Sequence, residues 1–379
     1  MYSEYLICCL EGVKQIDFWI TAGDSPAEIL SKYMTATGKP PVMPEYGLGF
    51  WQSKLRYQTQ DELMTVAREY HRRGIPLDVI VADFFHWTVE GAWAFAPVCW
   101  PDPETMVKEL KEMGTRLMVS VWPTVSTFFD GLKAEGENSV NLVRCAWAGS
   151  QKYGALVSSG DIPFTFESLK FQIVCGMQMA MAGIPWWTTD IGGFHGGNVE
   201  EPEFRELLIR WFQFGTFCPV MRLHGHRMPG KPGISTSGGG RMGSGADNEI
   251  WSSGQENYEI MKHHIEIRER LRPYLRDLMR KSSETGEAVM RPLCYDFPED
   301  TDVWDIQDQF MLGAALLVAP MIDYGRRSRE VYLPAGTDWL SAIDGKQHCG
   351  GQWIVEEAHI EKIPVFVRGD RGELVGCFR

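Results

Sequence analysis

Residues 77–83 have the sequence LDVIVAD, a short apolar run that ends in an acidic side chain, Asp83. A continuous run of β-branched and other apolar residues predicts a strand that is buried on both faces, as in a parallel sheet. Residues 84–87, FFHW, follow directly, so aromatic rings accompany the carboxylate. A carboxylate at the carboxyl end of such a strand is typical of active sites in α/β barrels.

Further apolar runs repeat this pattern along the chain, and amphipathic stretches separate them. One such stretch has Leu63, Val66, Ala67 and Tyr70 at positions i, i+3, i+4 and i+7, which predicts a helix with one buried face. Strands that alternate with helices predict βα units around a parallel sheet. The predicted strands are 46–51, 77–83, 116–122, 141–145, 155–158, 184–188 and 219–223.

Three regions are predicted from these patterns. Residues 44–284 are assigned to an α/β region, a (β/α)8 TIM barrel that is incomplete because only seven strands can be identified. Residues 285–379 change to short strands and turns, which predicts a small C-terminal β-sandwich domain. Residues 1–43 contain too little for a domain, a strand over 16–21 and a helix over 25–37, and are interpreted as the remnant of an N-terminal β domain and linker.

Two further features are predicted around the end of the barrel. Residues 228–254 are rich in glycine and serine, which indicates an exposed and mobile excursion after a barrel strand. The apolar spacing after Gln255 predicts a single long helix that closes the barrel region.

Composition limits the classes of partner. The 379 residues are 44% apolar and 23% charged, which is ordinary for a globular protein, and the net charge is -13. Such an acidic surface repels phosphate backbones and anionic lipid, so neither nucleic acid nor a membrane is expected as a partner. The nine cysteines show no zinc-binding spacing and are interpreted as buried free thiols, and the N-terminus lacks a signal peptide pattern. A cytoplasmic location is therefore expected, and homo-oligomerisation stays open.

Short motifs are spaced along nearly the whole chain. In order they are WQS at 51–53, VIVADFFHW at 79–87, PDP at 101–103, VSVWP at 119–123, LVR at 142–144, GSQKY at 149–153, SGD at 159–161, DIGGF at 190–194, RLHG at 222–225, DQFMLG at 308–313 and LVAP at 317–320. Each is weak alone, but so many in register resemble the retaining α-glycosidases of glycoside hydrolase family 31. The resemblance implies a TIM barrel followed by a C-terminal β domain.

The resemblance also implies a catalytic acid. Retaining hydrolysis uses two carboxyl groups about 5–5.5 Å apart, one that protonates the leaving oxygen and one that attacks the anomeric carbon. Asp161, in the SGD motif, matches the proton donor of the family. From the residues alone, Asp161 could instead be the N-cap of a helix predicted over 164–179.

The resemblance assigns a second group of residues to the sugar in the −1 subsite. They are predicted to bind its hydroxyl groups or to wall its face. Residues of these types also occur as strand-end caps, ordinary ion-pair partners, core histidines and core aromatics, and the sequence leaves those alternatives open. The predicted sugar-binding residues are Asp83, Trp122, Arg144, Phe194 and His224.

The segment that carries the nucleophile in this family has no counterpart in the sequence. Only 18 residues separate Trp122 from Asn141, and residues 128–137 are predicted to be helical, so a further βα unit of about 30 residues does not fit. Asp130 lies near this junction but in a helical context, so no nucleophile is assigned. The aromatic residue that the family has before its G-D pair is also replaced, by Ser158. An internal deletion is the interpretation.

Three hypotheses for function follow. The first is hydrolysis of terminal non-reducing α-xylosyl or α-glucosyl residues with retention, with xylose favoured because Phe84 and Phe85 make the site apolar. The second is a carbohydrate-binding remnant without catalysis. The third is an inverting hydrolase that uses Asp83 or Asp190 as its base. The partner is an oligosaccharide or α-glycoside in each case, no cofactor is expected, and histidines such as His195, His226, His263 and His264 do not form a metal-binding pattern.

Overall fold

The computed structural model describes residues 19–88, 92, 94–121, 139–234 and 243–379. Within these ranges the first half of the chain forms parallel strands with helices between them, and the second half forms antiparallel sheets. The predicted α/β barrel followed by a β domain is confirmed in this order of elements. Trp122 and Asp130 lie outside the described residues.

Seven parallel strands form the barrel part, in two groups. One sheet has the order β3-β2-β1-β8, and the second has the order β4-β5-β6. All seven coincide with predicted strands. Their bounds are β1 Phe50–Gln52, β2 Val79–Ala82, β3 Arg116–Val119, β4 Asn141–Val143, β5 Ala155–Ser158, β6 Trp187–Thr188 and β8 Met221–Leu223.

In the described part of the barrel, five helices lie between or after these strands, and local sequence explains where several begin. The side chains of Thr59, Asp102 and Thr165 each accept a hydrogen bond from a backbone N–H in the first turn, which satisfies a donor that the helix itself cannot. The helices are α2 Gln60–Arg72, α3 Pro103–Glu112, α4 Phe166–Met181, α5 Pro202–Thr216 and α6 Gln255–Arg270, and α1 Pro26–Thr37 precedes them.

The two groups of strands meet on one side of the barrel. The Val220 N–H donates to the Trp187 carbonyl over 3.2 Å, and the Thr188 hydroxyl donates to the Val220 carbonyl over 3.0 Å. On the other side, no ladder joins β3 to β4 among the described residues. Both strands there are only half-buried, whereas β1, β2 and β5 are fully buried. Residues 122–138, where the sequence predicts a missing unit, lie outside the described residues, so that prediction is not tested.

The end of the barrel region differs from the prediction. The prediction of a single long helix is wrong. Helix α6 ends at Arg270, and a separate helix, α7 Arg272–Thr285, begins with Pro273 in its first turn. Proline has no N–H to donate and its ring disfavours the continuing helical turn. The glycine-rich stretch is also not wholly irregular, since β9 His226–Lys231 pairs with β10 Ser244–Ala246 and with β7 His195–Asn198.

The C-terminal part consists of two antiparallel sheets. Their inner faces share a buried cluster that contains Met311, Leu317 and Phe366 from one sheet and Val331 and Leu333 from the other, the arrangement of a small sandwich. A six-stranded sheet has β11 Met290–Arg291, β12 Phe310–Leu312, β13 Leu316–Val318, β15 Asp338–Ser341, β16 Gln347–Cys349 and β18 Val365–Arg368. A two-stranded sheet has β14 Ser328–Leu333 and β17 Gln352–Glu357.

A buried arginine joins the two parts of the chain. Arg210, on α5, is fully buried and donates to the carbonyl oxygens of His359, Lys362 and Ala358. The rings of Phe214 and Phe310 also meet edge to face, with centroids 5.8 Å apart. The barrel therefore packs directly on the sandwich.

Smaller predictions have mixed outcomes. The helix over 25–37 is confirmed by α1, while residues 19–21 form no strand and the rest of the strand predicted over 16–21 lies outside the described residues. The described cysteines are free thiols, but Cys145 and Cys349 are exposed, so the prediction that all are buried is wrong. Within the described residues no helix is long and apolar enough to cross a membrane.

Candidate active site

Asp83 and His224 face each other at the carboxyl ends of β2 and β8. The Nε2 atom of His224 lies 3.7 Å from Oδ2 of Asp83, and the Nδ1 atom of His224 lies 2.8 Å from the Ser53 hydroxyl. Burial lowers the pKa of His224 well below its usual value, and the nearby charges of Arg222, Arg227 and Arg144 lower it further. His224 is therefore neutral at pH 7, which suits hydrogen bonding to a sugar hydroxyl.

The Asp83 carboxyl is held in an environment that disfavours its charge. Burial raises its pKa to about 6, although the Phe84 backbone N–H and the charge of Arg222 act in the opposite direction. A carboxyl that is uncharged in part near neutral pH can both donate and accept hydrogen bonds. Asp83 could therefore bind two hydroxyl groups of a neutral ligand.

A second carboxylate, Asp190, forms a buried pair with Arg222. Nη2 of Arg222 donates to Oδ1 of Asp190 and, over 3.1 Å, to the Ser158 hydroxyl. Asp190 is 2% exposed and Arg222 4% exposed. Ser158, which stands where the resemblance implies an aromatic ring, thus contributes a hydrogen bond to the floor of the site. The sequence places Asp190 and Arg222 in motifs but does not predict their pairing.

Asp161 and Arg144 form an ion pair at the rim of the same site. Nη2 of Arg144 lies 2.6 Å from Oδ1 of Asp161, and the two side chains are 72% and 31% exposed. Thr165, not Asp161, caps the helix that follows, so the alternative that Asp161 is an N-cap is wrong. Asp161 therefore has Arg144, not a helix N-terminus, as its partner.

The sequence DIGGF forms a tight turn that presents Phe194 to the site. Gly193 has φ 74°, and a Cβ there would lie 2.6 Å from the backbone of Phe164, so only glycine fits. The Phe194 ring is buried, and its centroid lies 5.4 Å from that of His224. An aromatic ring beside a hydroxyl-binding histidine can form one apolar wall of a sugar pocket.

Arg227 fastens this turn to the end of β8. Its guanidinium is fully buried and donates to the carbonyl oxygens of Gly193, Ile191 and His224 over 2.7, 2.8 and 3.2 Å. Its Nε also donates to Asn248 over 2.8 Å. The sequence does not predict that Arg227 holds this turn. The terminal nitrogens of its guanidinium donate only to backbone carbonyl oxygens, which every residue has.

Arg56 contacts the aromatic segment that follows Asp83. Phe85 has φ 68°, a left-handed conformation that is unfavourable for an aromatic residue. Nη1 of Arg56 donates to the Phe85 carbonyl over 3.0 Å, and the guanidinium lies 5.6 Å from the Phe85 ring centroid. Both contacts support the unusual backbone and hold Phe85 beside the site.

The predicted site residues are thus largely brought together. The Arg144–Asp161 pair also acts electrostatically on the two buried carboxyl groups. Burial raises the pKa of both Asp190 and Asp83; the Asp161 charge raises that of Asp190 further, and the Arg144 charge lowers that of Asp83. No group of three or more potential metal ligands occurs among the described residues. His264 is buried in α6, and no cofactor is implied by the residues around the carboxylates.

Carboxylates and a neutral histidine at the carboxyl ends of parallel strands define the class of protein: an α/β barrel with polar groups at the end where such barrels carry their sites. Residues 40–136 and 126–278 match the description "Glycosyl hydrolases family 31 TIM-barrel domain", and residues 286–371 match "Glycosyl hydrolase family 31 C-terminal domain". The chain belongs to glycoside hydrolase family 31. The two ranges that match the barrel domain overlap over residues 126–136, which lie between β3 and β4.

Named relatives are similar over most of the chain. An α-xylosidase of Saccharolobus solfataricus is 30% identical over 451 residues, which cover 94% of this chain and 59% of that protein. An uncharacterized family 31 glucosidase of Pseudescherichia vulneris is 43% identical over 316 residues, covering 57% of this chain and 60% of that protein. The chain thus spans about 60% of the length of these curated relatives.

A solved structure has the same fold. The crystal structure of a GH31 α-xylosidase from a soil metagenome, complexed with xylose, superposes with a TM-score of 0.91 at 42% identity. The match covers 93% of this chain and 68% of that one. The alignment with the Saccharolobus solfataricus enzyme is longer than the 379 residues of this chain, so that enzyme has residues without a counterpart here.

Replacement of Asp83 by asparagine is expected to change how stability depends on pH. Because the pKa is higher in the folded chain (about 6) than the usual 3.8, Asp83 contributes stability below pH 3.8 that is lost as the pH rises through 6. Relative to the wild type, Asp83→Asn should therefore gain about 2–3 kcal/mol in free energy of unfolding between pH 4 and pH 7. Urea denaturation across this range measures the gain.

Asp102→Asn is a control with the opposite sign. The Thr105 backbone N–H lowers the pKa of Asp102, so its carboxylate contributes stability that is lost on acidification. Relative to the wild type, this variant should lose stability as the pH rises. A difference between Asp83→Asn and the wild type that stayed constant from pH 4 to pH 7 would contradict the assignment.

Proposed function

We propose that the site takes the terminal non-reducing α-xylosyl or α-glucosyl residue of a glycoside and is built for hydrolysis with retention. The observations that carry this proposal are the contact between His224 and Asp83 and the charge interactions of the exposed Arg144–Asp161 pair with the buried carboxyl groups of Asp83 and Asp190. A sugar bound at Asp83 and His224 is proposed to have its glycosidic oxygen on the side of Asp161. Asp161 is then the group that can give this oxygen a proton.

Binding of the sugar ring is assigned to the neutral and apolar groups of the pocket. Asp83 and His224 exchange hydrogen bonds with ring hydroxyls, and the Phe194 ring covers one apolar face of the sugar. Arg222 holds Asp190 in place through their ion pair, and its charge lowers the pKa of Asp190 against burial, which raises it. Trp122 is assigned as a further wall by resemblance to the family.

Xylose is the favoured sugar. Phe84 and Phe85 follow Asp83 and place apolar surface where a second acidic residue would otherwise bind a hydroxymethyl group. Xylose lacks that group, so it needs no polar partner there, whereas burying an unpaired hydroxyl is costly. The α-xylosidases among the similar proteins support this choice. Equal hydrolysis of α-xylosides and α-glucosides by a form with a complete barrel would overturn it.

This chain is proposed to bind the sugar without rapid turnover. The supporting observation is the sequence spacing: only 18 residues separate Trp122 from Asn141, too few for the further βα unit of about 30 residues on which the family carries its nucleophile. Asp190 cannot replace the nucleophile, because it is buried against Arg222. This proposal corresponds to the second hypothesis, a carbohydrate-binding remnant: the chain keeps the sugar-binding residues and lacks only the catalytic step.

One experiment separates the two parts of this proposal. Titration with xylose, followed by protein NMR, should show saturable binding that is weakened at least about tenfold by Asp83→Asn, because hydrogen bonds to the sugar are lost. An aryl α-xyloside should be hydrolysed no faster by the wild type than by Asp161→Asn. Absence of xylose binding would refute the site. Turnover that Asp161→Asn abolishes would refute the missing nucleophile and support an intact retaining hydrolase.

A further inference from the structure

The turn that follows Asp83 has a backbone conformation that favours glycine, yet it carries a phenylalanine. Phe84 and Phe85 form this turn between Asp83 and His86, and Nδ1 of His86 lies 3.3 Å from the Asp83 carbonyl oxygen. Phe85 has φ 68°, where a side chain crowds the backbone and glycine is the usual residue. Strain of this kind is found at functional sites when neighbouring groups maintain it. Glycine would form the turn with less strain, so the phenyl ring itself is what the chain retains there.

Arg56 contacts both the backbone and the ring of Phe85. Nη1 of Arg56 donates to the Phe85 carbonyl over 3.0 Å, and the guanidinium carbon lies 5.6 Å from the ring centroid. The ring also lies against that of Phe84, with the centroids 3.7 Å apart. Arg56 is only 3% exposed, and a hydrogen bond that is shielded from water is stronger than an exposed one. These contacts oppose relaxation of the turn to a less strained conformation.

The hairpin of β9 and β10 fixes the backbone of Arg56 in its turn. The Ser244 hydroxyl donates to the Arg56 carbonyl over 2.6 Å and accepts from the Arg56 N–H over 3.3 Å. The Gly245 N–H donates to the Leu55 carbonyl over 2.7 Å. Ser244 is 1% exposed, so water does not compete for these groups. Contacts therefore run from the hairpin through Arg56 to the residue two positions after Asp83.

We propose that Arg56 is a positioning residue that sets the sugar selectivity of the site, and that Ser244 holds Arg56 in place for this role. The inference rests on the proposed function, in which Phe85 supplies apolar surface toward the position of a hydroxymethyl group. While Phe85 is held there, the hydroxymethyl group of glucose loses its hydrogen bonds to water and gains no partner. Arg56 does not bind the sugar and acts only through Phe85.

Selectivity is measured as the ratio of the dissociation constants for glucose and xylose, from NMR titrations of the whole chain. The wild type should have a ratio of about tenfold or more, because burial of an unpaired hydroxyl is costly. Arg56→Met should reduce the ratio to about threefold or less, mainly through tighter glucose binding, since Phe85 can then move away. Ser244→Ala should change the ratio in the same direction. Arg56→Lys keeps a cation and an N–H donor and should retain more of the ratio than Arg56→Met.

Two controls separate positioning from general stability. Arg268→Met also removes a fully buried guanidinium that donates to backbone carbonyls, among them those of Leu48 and Pro219, so it should lower the stability and leave the ratio unchanged. Phe85→Gly should remove the discrimination itself. Addition of Arg56→Met to Phe85→Gly should then change the ratio no further, because two residues that act through one contact are not additive.

The other outcomes overturn the inference in ways that can be told apart. A wild-type ratio in Arg56→Met that still binds xylose overturns the role of Arg56 and leaves the proposed function standing, as does a further fall in the ratio when Arg56→Met is added to Phe85→Gly. Should Arg56→Met fail to fold, an unchanged ratio in Ser244→Ala overturns the inference. Equal binding of the two sugars by the wild type refutes the preference for xylose together with the inference. A wild type that binds neither sugar refutes the proposed function.

Discussion

Insertion of the missing βα unit between β3 and β4 is expected to raise the turnover of an aryl α-xyloside by about four orders of magnitude or more. The insert is the stretch of the Saccharolobus solfataricus α-xylosidase that lies between the counterparts of these strands. The resemblance to the family implies that this stretch carries the nucleophile, and losing a catalytic nucleophile commonly costs ~5 kcal/mol or more of transition-state stabilisation. Steady-state kinetics of the chimera against the original chain measure the gain.

Two controls show whether the gain comes from the expected chemistry. The same insert with its strand-end aspartate changed to asparagine should fold equally well and return the turnover to the original level. Asp161→Asn in the active chimera should slow an aryl xyloside with a poor leaving group more than one with a good leaving group, because only the former needs a proton. A chimera that binds xylose but gains no turnover would contradict the assignment of the missing segment.

The insert should also stabilise the fold. In the described residues β3 pairs only with β2, and β4 only with β5, so each has an edge whose N–H and carbonyl groups form no ladder with the other. A strand between them would pair both edges and bury their half-exposed side chains. Both chimeras, active and inactive, should therefore unfold at higher urea concentration than the original chain.

Replacement of Arg227 by methionine is expected to lower the free energy of unfolding by about 3–5 kcal/mol and to weaken xylose binding by more than about tenfold. The change leaves the carbonyl oxygens of Ile191, Gly193 and His224 without their buried donor. These carbonyls belong to the turn that carries Phe194 and to the strand end that carries His224. Both sides of the sugar pocket should shift once the guanidinium is gone.

Arg268→Met is the matched control. Arg268 on α6 is also fully buried and donates to four backbone carbonyls, those of Leu48, Thr216, Cys218 and Pro219, but none of these lies in the pocket. The variant should lose a similar free energy of unfolding and, under conditions where it remains folded, bind xylose as the wild type does. Equal loss of binding in both variants would show that Arg227 acts only through general stability.

Much of the barrel could be predicted from local patterns. The seven strands were found because buried parallel strands are continuous apolar runs, which stand out between amphipathic helices. The long helix after Gln255 was predicted wrongly, because periodicity continues across Pro273 although the backbone does not. The ladder between β9 and β10 was missed since glycine and serine carry no strand signal, and its pairing depends on residues distant along the chain.

The site divides in the same way. The motifs predict Asp161, Asp83, Arg144, Phe194 and His224 as site residues, and the structure connects them through contacts and charge interactions, which leaves their roles as predictions. The pairing of Asp190 with Arg222 and the contacts of Arg227 could not be predicted, since they join segments that meet only when the barrel forms. Ser158 stands where the family has an aromatic residue, and its hydroxyl accepts a hydrogen bond from Arg222 that the sequence does not predict.

By itself the sequence determined the family and the order of βα units, because these depend on which residues are present and in what order. Tertiary structure alone decided that Asp161 pairs with Arg144 while Thr165 caps the helix, that burial raises the pKa of Asp83, and that Arg227 holds the turn that carries Phe194. Burial and charge are properties of neighbours in space, and the chain brings those neighbours together only by folding.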